Sequence, residues 1–286
     1  MCDKDHFAES VVEYEARGLV TRRQFGVLLA AGVAMMLPDV ANAQATNERD
    51  VDIKTPDGTC DAYFVYSATG AGAGVLIWPD IFGLRPAMRT MAKRLAQSGY
   101  AVLVVNPFYR VGKTTATGAT PIAQMTPFRK GMSPATDMSD AKTFVAWLDA
   151  QPQVNKNRKV GVQGYCMGGP MSFHTASAVP DRIGAVATFH GGNLVAMDPT
   201  SPTSPHNLAA ATKASFLIAI AENDDKSKPN DKTILKETFD KAKLSSEIEV
   251  YPAAHGWCPP DTQVYNEPAA EKAWSRLLAL YGKALA

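Results

Sequence analysis

Gly164-Tyr165-Cys166-Met167-Gly168-Gly169 follows the apolar run Val160-Gly161-Val162 and leads into a helical pattern from about Pro170. Strand, tight turn and helix meet within these residues. The spacing glycine, any residue, nucleophile, any residue, glycine is that of a nucleophile elbow: the central residue sits in a strained turn, and only glycine lets strand and helix pass so closely. Here the central residue is Cys166. Such a turn presents the thiol at the C-terminal end of a central strand and at a helix N-terminus, whose partial positive charge favours thiolate. A plain strand-to-helix turn with a buried cysteine has the same six letters, so the surrounding chain must decide.

Outward from the elbow the pattern alternates. Residues 51–54 and 62–66 read as an opening strand pair joined at Pro56-Asp57-Gly58, and 74–78, 101–105, 160–163, 183–189, 216–221 and 248–251 as further strands, several of them continuous apolar runs. Helical periodicity occupies 86–97, 138–148, 167–178, 232–242 and 269–281. Repeated crossovers of this kind imply an α/β fold with a mostly parallel, twisted sheet and helices on both faces. Residues 111–133 and 191–214, rich in Thr, Ser, Pro and Gly, break the rhythm, and the first is expected to wall a pocket.

A nucleophile needs a base, and the base an orienting acid. After Cys166, the strand at 216–221 runs into Glu222-Asn223-Asp224-Asp225 and the strand at 248–251 into Ala253-Ala254-His255-Gly256-Trp257. Both follow strand C-termini, the edge where such sheets carry their chemistry. The order nucleophile, acid, histidine selects His255 over His190, which ends the strand at 183–189 before any acid and reads as a pocket or core histidine. His174 falls inside the elbow helix and His206 in a Pro-rich loop. Asp224 and Asp225 both remain candidates for the acid.

Together with Trp78-Pro79-Asp80-Ile81-Phe82-Gly83-Leu84, these motifs resemble the dienelactone hydrolase (carboxymethylenebutenolidase) family from about Val51 to the end. The resemblance implies an α/β-hydrolase domain with a Cys166-His255-Asp224 triad that opens a lactone or ester through a thioester, without metal or organic cofactor. It further implies an oxyanion hole from the backbone N–H groups of Ile81 and Met167, and substrate contacts from Asp80, Phe82, Arg110 and Trp257. Arg110, in Asn106-Pro107-Phe108-Tyr109-Arg110, matches a family arginine that holds a substrate carboxylate. The family's second such arginine falls here on Pro259, and its usual glutamate before Ile81 is here Asp80.

At 286 residues and 46% hydrophobic, the chain can fill one large core. Ahead of it, Arg22-Arg23 precedes an apolar stretch at 25–37 and Ala41-Asn42-Ala43, the pattern of a cleavable twin-arginine export signal over residues 1–43. Thirteen apolar residues are too few to span a membrane comfortably, so no stable anchor is expected. The hydrolase domain would then be 44–286, delivered by the twin-arginine machinery to the periplasm or beyond and working as a monomer on a small molecule. Its net charge of +3 over 243 residues has no basic block, against nucleic-acid binding. Of its three cysteines, Cys60 and Cys258 could pair in an oxidising compartment, and no His/Cys cluster has zinc spacing. The competing classes are a periplasmic carboxylesterase of other substrate range, a thiol redox protein, which needs a resolving cysteine, and a non-catalytic binding protein.

Overall fold

Eight strands, β1 (Thr46–Thr55), β2 (Gly58–Ser67), β3 (Gly74–Trp78), β4 (Ala101–Val105), β5 (Val160–Tyr165), β6 (Ile183–Phe189), β7 (Ser215–Ala221) and β8 (Ser246–Tyr251), form one sheet in the computed structural model, which describes residues 12–18 and 37–286. Their order is β1-β2-β4-β3-β5-β6-β7-β8. β1 and β2 make an antiparallel hairpin in which Thr55 faces Gly58, and β2 pairs antiparallel with β4. From β4 to β8 every pairing is parallel. The expected α/β-hydrolase architecture is therefore present, with a longer opening hairpin than the apolar letters alone suggest: alternation in β1 is weak because most of the strand is exposed.

Alternate strand residues feed two cores. Leu76 and Trp78 face one side with Phe144 and Leu148 of the helix Pro134–Asp149, Phe173 of the elbow helix Gly168–Ala178, and Phe239 of Asp231–Lys241. Val75 and Ile77 face the other with Met88 and Leu95 of Pro86–Gln97, and Leu277 and Tyr281 of Glu267–Ala284. The helix expected at 138–148 starts earlier because Ser133 and Thr136 form a reciprocal capping box and Pro134 occupies the first turn. Asn266 and Pro268 begin the last helix in the same manner, with the Asn266 side chain accepting from Ala269 N.

The chain winds from β3 out to β4 and then returns to lay β5 on the other side of β3. The strand order reverses there, and the loops leaving β3 and β5 splay apart into the crevice where open α/β sheets bind ligands.

Cys60 and Cys258 do not pair. Both are free, buried thiols that belong to cores on opposite faces of the sheet. Of the expected leader, Arg22-Arg23 lies outside the described residues. Residues 12–16 are helical, and Tyr14, only 1% exposed, donates its hydroxyl to Glu222 at 2.8 Å while Arg17 pairs with the same carboxylate at 2.7 Å.

Candidate active site

The elbow is shaped by contacts that exclude side chains. A Cβ on Gly164 would stand 2.0 Å from the carbonyl oxygen of Gly168, and one on Gly168 would stand 2.3 Å from that of Trp78. Between them Cys166 is held at φ +50°, a conformation costing a non-glycine residue about 1–3 kcal/mol and typical of functional positions. The turn after β6 grips it from both sides: Cys166 N donates to Phe189 O at 3.1 Å, and Gly192 N donates to Cys166 O at 3.2 Å.

β7 ends in a short helix, Glu222–Ser227, where a loop was expected. The helix aims Asn223 and Asp224 at the loop after β8. Asn223 Oδ1 accepts from His255 N at 2.8 Å, and Asp224 Oδ2 lies 2.7 Å from His255 Nδ1. Asp225 turns away to Lys232 at 2.7 Å. Of the two neighbouring candidates, Asp224 is thus the carboxylate on the imidazole, and its position sets the tautomer with Nδ1–H towards the acid. Cys166, Asp224 and His255 all line one cavity of about 320 Å³, within the small end of the range for ligand pockets.

Of the oxyanion candidates, Ile81 lines the same cavity and Met167 follows Cys166 directly in the elbow. Asp80 accepts from Phe82 N at 2.9 Å, and its carbonyl accepts from Gly83 N at 3.0 Å. Those two amides are committed within the turn, so Ile81 N–H is the turn's candidate donor, and Met167 N–H at the head of the elbow helix is the other candidate. Ile81 and Phe82 form the cavity wall, backed by Met125 and Phe108. Ile122, from the stretch at 111–133, also reaches the cavity, as expected of a pocket wall.

Asp80 is at the cavity but not open to it. It is 4% exposed and bound by both Nη atoms of Arg85 at 2.7 and 2.9 Å, and Arg85 turns its remaining edge to Asp261 at 2.6 and 2.8 Å. Burial pushes the Asp80 carboxyl up, and Arg85 pulls it back. Asp261 also accepts from Gly118 N at 2.9 Å, so one guanidinium ties the β3 loop to the two loops that close the cavity. Sequence reasoning passed over Arg85 and Asp261. The signal available was a basic residue five positions after Asp80, just before Pro86.

Two expected substrate contacts lie elsewhere. Arg110 is outside the cavity wall, bidentate on Asp140 at 2.8 and 2.8 Å and bound to Asp57 at 2.6 Å. Trp257 is wholly buried and stacks on Tyr251 at 5.0 Å, behind the site. A short side chain at Pro259 cannot bring a cation in from the His255 loop either.

The other histidines also find places. His174 bonds to Asp137 at 2.9 Å in the core, and His206 to Ser204 at 2.8 Å. His190 lines the cavity, fully buried at φ +43°, with its ring centroid 5.1 Å from that of His255. Among the described residues, neither of its ring nitrogens has a hydrogen-bond partner. Burial, and then the neighbouring His255, push its pKa well below 6.5, so the ring is neutral. Cys258 faces a separate small cavity lined by Arg94 and Gln163, whereas Cys166 faces the larger one. Among the described residues no cluster of metal-ligating side chains occurs and no helix is long and apolar enough to cross a membrane.

The sequence profile of the dienelactone hydrolase family matches residues 60–285. A carboxymethylenebutenolidase of Rhodococcus opacus is 27% identical over 223 residues, which are 77% of this chain and 84% of that protein. A putative carboxymethylenebutenolidase of Methylorubrum extorquens is 28% identical over 271 residues, 91% of each chain. Among solved structures, a putative dienelactone hydrolase from Klebsiella pneumoniae superposes with a TM-score of 0.73 at 21% identity, over 84% of this chain and all of that one.

Proposed function

From the premise that this chain belongs to the dienelactone hydrolase family and is therefore an ester or lactone hydrolase, we propose that it works by a cysteine triad through a thioester. The observation that carries this is one cavity with Cys166 strained at an elbow and, facing it, a histidine held by Asp224 at 2.7 Å. With Nδ1 committed to Asp224, Nε2 is the nitrogen that exchanges a proton with the thiol. A free thiol has a pKa of about 8.5, and a neighbouring imidazolium and helix terminus are what bring thiolate into reach near neutral pH.

The thiolate attacks the carbonyl carbon, and the oxyanion forms against Ile81 N–H and Met167 N–H. As the carbon–oxygen bond breaks, the His255 imidazolium gives its proton to the leaving oxygen, which in a lactone stays tethered to the acyl group. Water then attacks the thioester while His255 takes a proton from it, and the carbon–sulfur bond breaks to return the thiolate and release the acid. The carboxymethylenebutenolidase name of the Rhodococcus relative makes a five-membered unsaturated lactone the first substrate to try.

Hydrolysis of lactones and aryl esters by the purified chain, with mass analysis of protein quenched during turnover of a slow ester, tests this. An acyl adduct on the peptide bearing Cys166, absent in Cys166→Ala, is expected. Full turnover by Cys166→Ala would overturn the mechanism.

We further propose that residues 1–43 export the protein through the twin-arginine route, on the strength of Arg22-Arg23, the short apolar stretch and Ala41-Asn42-Ala43. Replacing both arginines with lysine should leave precursor inside the cell, and normal processing of that variant would remove the proposal.

A further inference from the structure

The charges around the nucleophile have a sign. The guanidiniums of Arg85 and Arg110 are both committed to aspartates, and neither lines the cavity. Arg85 is 2% exposed and carries two aspartates on its three nitrogens, leaving that buried group with an excess of negative charge. Arg110 is likewise shared between Asp140 and Asp57, outside the wall.

Further along the cavity, the helix Glu222–Ser227 brings Asp225 to the lining, and the helix Asp231–Lys241 and the turn before it bring Lys228, Asp231 and Lys232. Lys232 is neutralised by Asp225 at 2.7 Å. Lys228 reaches Asn193 Oδ1 at 3.0 Å and lies in the field of Asp231, which its charge stabilises. Lys228 and Asp231 offset one another. With the Cys166–His255 pair neutral in total whichever of the two holds the proton, Asp224 and the surplus on Arg85 remain uncompensated. The apolar part of the wall is Ile81, Phe82, Ile122, Leu194, Ile220 and Leu235, and the remaining polar side chains there, such as Asn193, Asn223, Ser227 and Thr262, are uncharged.

We infer that the cavity selects neutral substrates with an apolar acyl group and discriminates against those that carry a carboxylate, so that this chain takes uncharged lactones or esters. The inference deepens the hydrolase reading and rests on it for the word substrate. Its electrostatic content is independent of turnover. An anion entering the cavity leaves water. Among the described residues of the lining, the one cation it meets outside an ion pair is Lys228, already held by Asn193 and set against Asp231, and it faces two uncompensated negative charges. At separations of several ångströms and the effective dielectric of a partly wetted site, that disfavours it by about tenfold or more at low salt.

Two measurements on the full chain separate the inference from the hydrolase reading. The first compares alkylation of Cys166 by neutral iodoacetamide and anionic iodoacetate, each rate divided by that for 2-mercaptoethanol, with peptide mapping to assign the label. The normalised preference for iodoacetamide is expected to be about tenfold or more at low salt and to shrink as salt is added. Asp225→Asn, which frees Lys232, and Asp231→Asn should each pull the preference towards that of the free thiol, and Lys228→Gln should widen it. A preference no greater than the free thiol's, or faster relative reaction with iodoacetate, overturns the inference whether or not esters are hydrolysed.

The second compares kcat/KM for a matched pair of aryl esters differing only in a terminal carboxylate on the acyl chain. The neutral ester should win by a similar factor, and equal or better turnover of the anionic ester overturns the inference. If neither ester is cleaved while the alkylation preference holds, the hydrolase reading fails and the charge selectivity of the cavity stands.

Discussion

His190 carries two costs at one residue. Its backbone is left-handed at φ +43°, and both ring nitrogens are buried without partners among the described residues. An unsatisfied buried polar atom costs about 1–3 kcal/mol, and an apolar ring of similar shape avoids it. His190→Phe should therefore melt higher than the parent near pH 7 while turning over ester more slowly, because the replaced ring packs against His255. The pH dependence has a defined sign. Burial holds the folded-state pKa of His190 well below 6.5, so below about that pH the unfolded chain binds a proton that the folded chain refuses. Its contribution is fully present above pH 6.5 and lost as pH falls, by up to about 1.4 kcal/mol per unit. The stability gap in favour of His190→Phe should widen between pH 7 and pH 5 in denaturant titrations, and a constant gap would refute the account. For the proposed triad, Cys166→Ala, His255→Ala and Asp224→Asn should each lower acylation, with little further loss on combination, since residues that act as a unit fail together. Asp225→Asn should keep most of the acylation rate on a neutral ester, because Asp225 faces Lys232. The placing of Cys166 and His255 at strand ends on one cavity was legible in the letters because an elbow and a histidine after a later strand are local patterns. Which of two adjacent aspartates meets the imidazole was not, since it depends on the phase of a helix of six residues. Arg110 shows the opposite limit: a motif placed it, but Asp57 and Asp140, 53 and 30 residues away, claimed its charge.

At the level of elements, the glycines of the elbow measure how tightly β5, its helix and β3 are fitted. A methyl group on Gly168 would meet the backbone of Trp78 and Pro79, which cannot swing aside as a side chain would. Gly168→Ala should accordingly destabilise by at least the 1–3 kcal/mol typical of overpacking, seen as a lower midpoint in urea, and Gly164→Ala more so. Gly192→Ala meets nothing within 4 Å and should be tolerated. The strands from β3 to β7 could be read from the sequence because burial on both faces makes them continuous apolar runs. β1 and β8, mostly half-buried or exposed, carry no such run, and their lengths come from pairing with a neighbour. The helix Glu222–Ser227 escaped notice for a related reason: Glu-Asn-Asp-Asp has the composition of a turn. What makes it helical is the β7 carbonyl edge it leaves and the hold of Glu222 N on Ala253 O at 3.0 Å, a contact between distant segments.

Across the whole molecule, the expected boundary at residue 44 coincides with a structural fastening. Gln44 N donates to Gln97 O at 2.9 Å, its side chain bonds to Ser67, and Ala68 N returns a bond to Ala45 O at 2.7 Å before β1 begins. A chain that starts at Gln44 therefore keeps the whole sheet and every residue of the cavity. What it gives up among the described residues is 37–43 and the segment at 12–18, whose Tyr14 is buried against the domain and bonded to Glu222, two positions before Asp224. Burying a side chain of this size is worth roughly 1.5–3 kcal/mol, and in a domain of this length each kcal/mol moves Tm by about 2–4 °C. The protein beginning at Gln44 should thus melt about 3–12 °C below the full chain, as should Tyr14→Ala in the full chain, and the two changes should not add. Ester turnover should survive in both, because Asn223 and Asp224 are fixed to His255 by their own bonds rather than through Glu222. Equal melting of the two lengths would mean that Tyr14 does not stay on the domain in solution. Loss of turnover in the shorter chain, with its melting transition intact, would instead make the segment at 12–18 part of what holds the acid in place.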